Sequence, residues 1–150
     1  MKNDDLKRMG FSTKAIHGGH SPNAAGALVT PIYQASTFRF DSAEQGARRF
    51  ALEEEGYIYT RLGNPNSTEL EQKIALLEGA EAAVATGSGM GAITSAFWSA
   101  LEPGDHIVAG KALYGCTFAF LGHGASKFGV ETTFVDTSNI DEVRDVLRPN

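Results

Sequence analysis

The sequence predicts an α/β fold in which helices pack over a parallel sheet, and three observations carry that expectation. Short apolar runs alternate with helical patterns from residue 66 onward. The two clearest strand runs, HIVAG and VETTFVD, are separated by a helical run rather than by a tight turn. A glycine cluster, GSGMGA, stands between an apolar run and a helix.

Residues 1–65 have little sustained period and many breakers, as in HGGHSPNAAGALVTP, and read as an extended arm that cannot bury itself well. One short helix is expected there, in DSAEQGARRFALEEE, capped by Asp41 or Ser42. Residues 66–150 read as the start of the α/β domain. NPNSTELEQKIALLEGA offers Asn66 or Thr68 as a cap with a Glu three residues after each. Apolar Leu70, Ile74 and Leu77 follow at helical spacing, with Gly79 as the stop. After the apolar run AAVAT and the glycine cluster, a helix is due from Gly89 to Leu101, before Pro103 and Gly104. HIVAG is then a strand, GCTFAFLGHGASKF a helix and VETTFVD a strand, and Ser138 or Asn139 caps a last helix, IDEVRDVL. No internal repeat interrupts this alternation. By its rhythm a further strand is due after Asn150, so the chain reads as the amino-terminal part of a longer protein.

A hydrophobic content of 42% with nine Phe is enough to build a core. The formal net charge of -5 and scattered basic residues argue against nucleic acid and against an anionic membrane as partners. The opening MKNDDLKRMG leads into no apolar targeting region, and the single cysteine cannot form an internal disulfide, which together read as a cytoplasmic protein.

GSGMGA satisfies the G-x-G-x-x-G/A dinucleotide pattern, but the acid it requires about 20 residues on could only be Asp105, which precedes the strand instead of following it. Gly110 and Lys111 occupy the position after the strand. Two readings stay open: a tight turn without a ligand, or a phosphate held on the amides of Gly89 and Met90 at a helix N-terminus. Cys116 is a small core residue or a thiol activated at a helix start, although His123, seven residues on, is poorly placed as its base. HGGH, His17 to His20, lacks acidic or thiol ligands at useful spacing, so no metal site is expected. The acidic run Glu53–Glu55 reads as a solvated helix end.

Five stretches add a resemblance. YIYTRLGNPN (57–66), LEGAEAAVATGSGMGAI (77–93), GDHIVAG (104–110), LYGCT (113–117) and KFGV (127–130) together resemble the Cys/Met-metabolism family of pyridoxal 5′-phosphate (PLP) enzymes. The resemblance covers nearly the whole chain. It implies the aspartate-aminotransferase-like fold, fold type I, with an interface arm followed by the first part of the parallel-sheet cofactor domain. It further implies that Gly89 and Met90 bind the phosphate of their own subunit's PLP, while Tyr59 and Arg61 reach the phosphate of the neighbouring subunit. Arginine suits that task because its fork grips phosphate in bidentate fashion.

By the same resemblance Tyr114 stacks on the cofactor ring and is a candidate acid for a departing thiolate, and Cys116 lines the substrate side-chain pocket. Free tyrosine titrates near pH 10, so ready proton exchange near neutrality would need positive charge beside it. The cysteine of YGCT points to the γ-lyase members and to a sulfur amino acid as substrate. A sulfhydrylase using external sulfide or thiol and a non-catalytic nucleotide-binding module are the alternatives. A homodimer with shared sites, commonly paired into a tetramer, is also implied. The lysine that carries PLP, the aspartate at its ring nitrogen and the arginine for the substrate carboxylate belong to later segments in this family. Neither Lys111 nor Lys127 has the Ser-x-Thr-Lys setting, so residues 1–150 alone are expected to be inactive.

Overall fold

The computed structural model describes residues 3–149 and divides into two compact units, Met1–Ala85 and Thr86–Asn150. The first unit begins with two short helices, α1 (Asn3–Lys7) and α2 (Phe11–His17), in a region whose sequence showed little period. Each helix is too short to declare itself by periodicity, and tertiary packing supports them instead. Leu6 of α1 is 2% exposed, and α2 packs against α4 (Pro65–Glu78).

The glycines of HGGH explain that packing. A Cβ on Gly18 would lie 3.0 Å from a methyl of Leu76, and one on Gly19, at φ 71°, would lie 2.3 Å from the carbonyl oxygen of Glu69. The motif is therefore a close crossing of chain over helix, at a backbone angle that favours glycine.

Helix α3 (Ala43–Phe50) is capped by Ser42, whose side chain accepts the Gln45 N–H. It stops before the acidic run, and Glu54 is not a solvated helix end: it accepts two hydrogen bonds from Arg48 and one from Gln45. These donors hold its carboxyl below the usual range, the Arg48 hydrogen bonds having the largest effect. In α4 the cap is Asn64, not Asn66 or Thr68, because Pro65 fits the first helical position, where its missing N–H costs nothing. Gly79 ends the helix in the left-handed conformation, as expected.

The second unit contains α5 (Gly89–Ala100), β1 (His106–Gly110), α6 (Gly115–Ala119), β2 (Glu131–Val135) and α7 (Ile140–Val146). Strands β1 and β2 pair in parallel, from His106 opposite Glu131 to Gly110 opposite Val135, so the α/β expectation holds. The run AAVAT forms no strand among the described residues, and Val84 is 81% exposed. The helix expected over residues 115–128 is continuous in direction but not in kind. A π turn (Phe120–Gly124) and a 3₁₀ turn (Ala125–Phe128) follow α6. Gly122 and Gly124 weaken regular α-helix there, and a Cβ on Gly124 would lie 3.1 Å from the Phe120 ring.

Buried Ala109, Leu121, Ala125, Val130 and Val135 make the core of this unit. The Phe118 and Phe134 rings stack at 4.2 Å, and Phe120 meets Trp98 edge-on at 5.6 Å, which fixes the crossover against β2 and α5. Asn139 caps α7 with its side-chain oxygen, one of the two caps the sequence offered.

Candidate functional site

In the second unit the site begins at the start of α5. The Ser88 hydroxyl accepts the Gly91 N–H at 3.0 Å, and the Ser88 carbonyl accepts the Ala92 N–H at 3.1 Å. The Thr94 hydroxyl donates to the Met90 carbonyl at 2.7 Å. This tightens the first turn while leaving the N–H groups of Gly89 and Met90 without a partner among the described residues. A Cβ placed on Gly87 or Gly89 would meet nothing within 4 Å, so the approach to those amides is open. Two free amides and the positive end of a twelve-residue helix suit a phosphate. The residue that follows β1 is Lys111 rather than the acid a dinucleotide site would place there, and it donates to Glu142 at 2.7 Å.

The short loop after β1 presents Tyr114 as the residue preceding α6, with its side chain 69% exposed. The neighbouring Cys116 side chain, first by hydrogen bonding and then by charge, holds the Tyr114 phenol above its ordinary range. Hence the phenol keeps its proton at neutral pH. Cys116 is exposed, which removes the core-filler reading within this chain, and no hydrogen bond joins it to His123 among the described residues. The residue buried at that turn is Thr117, at 8% exposure, and its hydroxyl donates to the Met90 thioether at 3.6 Å. The structure thus brings the α5 amides and the Tyr114–Cys116 turn together through a residue that the sequence did not single out.

In the first unit Tyr59 and Arg61 lie on a ribbon formed by the Thr37–Tyr59 bridge, with Phe38 N–H donating to Ile58 O at 3.0 Å and Thr60 N–H to Ser36 O at 2.9 Å. The Arg61 guanidinium stands 5.4 Å from the Tyr59 ring centre and has no carboxylate partner among the described residues. Both residues border an apolar hollow of about 490 Å³ lined with Phe38, Phe40, Phe50 and Ile58. A cation in such surroundings is poised to receive an anion.

Asn64 anchors this ribbon and is the second residue that sequence reasoning passed over. At 5% exposure, its side chain accepts the Asn66 N–H at 2.9 Å and donates to Tyr33 O at 2.9 Å and to the Thr60 hydroxyl at 3.1 Å. The Asn-Pro pair was the available signal, since it marks a cap followed by a first helical residue.

Comparison with known proteins places the chain in a family. Residues 12–150 match the family of Cys/Met metabolism PLP-dependent enzymes. The chain is 65% identical to an L-methionine gamma-lyase of Porphyromonas gingivalis over its whole length, covering 38% of that protein. It is 42% identical to an O-acetyl-L-homoserine sulfhydrylase of Corynebacterium glutamicum, over 93% of this chain and 32% of that one. A Campylobacter jejuni crystal structure of an O-acetylhomoserine (thiol)-lyase, which contains a pyridoxyl-lysine phosphate group, superposes with a TM-score of 0.86 at 32% identity, over 94% of this chain and 35% of that one. The chain therefore spans about two fifths or less of the proteins it matches. These likenesses, found in a chain with an open helix N-terminus and an exposed tyrosine before the following crossover, establish that it belongs to the Cys/Met metabolism family of PLP-dependent enzymes.

Proposed function

We propose that this chain is part of a PLP-dependent methionine γ-lyase that converts L-methionine and water into methanethiol, 2-oxobutanoate and ammonia. The observation that carries the reading is the 65% identity to an L-methionine gamma-lyase over all 150 residues of the chain. The residues present fit PLP. The unpartnered Gly89 and Met90 amides accept its phosphate, the open space above Gly87 and Gly89 admits it, and the exposed Tyr114 ring offers a face for the pyridine. When bound, PLP supplies an electron-withdrawing ring that draws electrons from the substrate's α-carbon.

The chain's own groups then act around it. Tyr114 orients the ring and, as a phenol that retains its proton, gives that proton from Oη to the departing sulfur. Cys116, exposed beside it, borders the space for the substrate side chain. Arg61 and Tyr59 contribute a charged fork and a phenol to the phosphate in the partner subunit of a homodimer with shared sites. No lysine in this sequence stands in the family's Ser-x-Thr-Lys setting, which supports the reading that residues 1–150 alone are inactive.

The decisive experiment incubates the purified full-length protein, of which residues 1–150 are part, with L-methionine alone and measures 2-oxobutanoate, ammonia and methanethiol. All three are expected in equal amounts. The sulfhydrylase reading, which the 42% relative keeps in play, replaces this one if product forms only with an activated homoserine and sulfide. Arg61→Ala is expected to weaken PLP binding roughly thirtyfold, in line with the loss of one charge-assisted contact, and Arg61→Lys to recover only part. Unchanged PLP affinity in Arg61→Ala would remove Arg61 from the phosphate site.

A further inference from the structure

We propose that Thr117 is a positioning residue that couples the phosphate-binding end of α5 to the turn carrying Tyr114 and Cys116, an inference that rests on the PLP reading above. Phosphate amides and stacking ring belong to different elements, separated in sequence by a loop, a strand and another loop. For one cofactor to engage both, their spacing must be held. The aromatic contacts of Phe120 with Phe97 and Trp98 join the crossover to the later turns of α5, away from the amides. Near the amides, the Thr117–Met90 bond is the only side-chain hydrogen bond between α5 and α6 among the described residues.

Its setting makes it selective. Thr117 is 8% exposed, so its hydroxyl has no ready access to water and is satisfied by the Met90 sulfur at 3.6 Å, a normal length for so large an acceptor atom. On the other side, the Met90 carbonyl takes the Thr94 hydroxyl. Met90 is thus held at its carbonyl from within α5 and at its side chain from α6, which sets the direction of its N–H. Tyr114 lies three residues before Thr117, so the bond carries the position of one half of the site to the other.

The test compares PLP with pyridoxal, which shares the ring but lacks the phosphate, by titrating the cofactor-free full-length protein and following visible absorbance. Thr117→Val keeps the shape and removes the donor; it is expected to weaken PLP three- to tenfold, on the order of one lost hydrogen bond, while leaving pyridoxal binding unchanged. Thr117→Ser keeps the donor and is expected to restore PLP affinity. Met90→Leu leaves the Thr117 hydroxyl stranded and should weaken PLP at least as much, whereas adding Thr117→Val to it should bring no further loss. If Thr117→Val fails to fold, the Met90→Leu comparison carries the test. Equal weakening of PLP and pyridoxal, or weakening of neither, overturns the proposal. A wild-type protein that binds PLP no better than pyridoxal overturns the phosphate reading itself, and the proposal with it.

Discussion

Tyr114→Phe in the full-length protein is expected, on the proposed γ-lyase reading, to lower kcat for methionine elimination about a hundredfold, at the lower end of what a positioned acid contributes, with PLP affinity essentially retained. The substitution removes one oxygen and leaves the ring, so stacking and proton transfer separate cleanly. The pH profile gives a further check. Because the Cys116 side chain holds the phenol above its ordinary range, loss of activity through ionisation of Tyr114 is expected on the alkaline side of ordinary tyrosine titration. Cys116→Ala removes the group that raises it, so that alkaline limb should move to lower pH. An unchanged kcat in Tyr114→Phe would take the proton transfer away from this residue.

Asn64→Ala is expected to destabilise the protein by about 3 kcal/mol, combining a lost helix cap with two lost buried hydrogen bonds. The residue serves three segments at once: the start of α4 through the Asn66 N–H, the chain at Tyr33 O, and Thr60 next to Arg61. Asn64→Asp keeps the acceptor for the cap but turns a donor toward the Tyr33 carbonyl into a second acceptor, so it should recover little. Denaturant titration with an unchanged slope would report the loss as a shift in midpoint. A shift worth less than about 0.5 kcal/mol, the size of an ordinary surface substitution, would show that Asn64 does not hold the ribbon.

Legibility differed along the chain for identifiable reasons. Local signals were read well where one residue decides the conformation. Gly79 in the left-handed region, Ser42 before α3 and Asn139 before α7 each act on their own backbone or on the next turn. Signals failed where the cause lies elsewhere in the fold. HGGH had no visible purpose in sequence, since Glu69 and Leu76, which demand those glycines, lie some fifty residues on. Glu54 looked solvated because Arg48 and Gln45 reach it only once α3 stops early and the chain turns back.

The sequence by itself determined the family, the parallel strand–helix–strand order of residues 106–135 and the residue types that suit a phosphate and an aromatic cofactor, since these depend on local pattern and on motifs kept as contiguous runs. Tertiary structure alone decided that Thr117 rather than Cys116 is the buried member of the LYGCT turn, and that its hydroxyl finds Met90. Tertiary structure alone also decided that Asn64 joins three segments. Burial and side-chain pairing between elements depend on which faces meet, and that is set by the packing of all of them together.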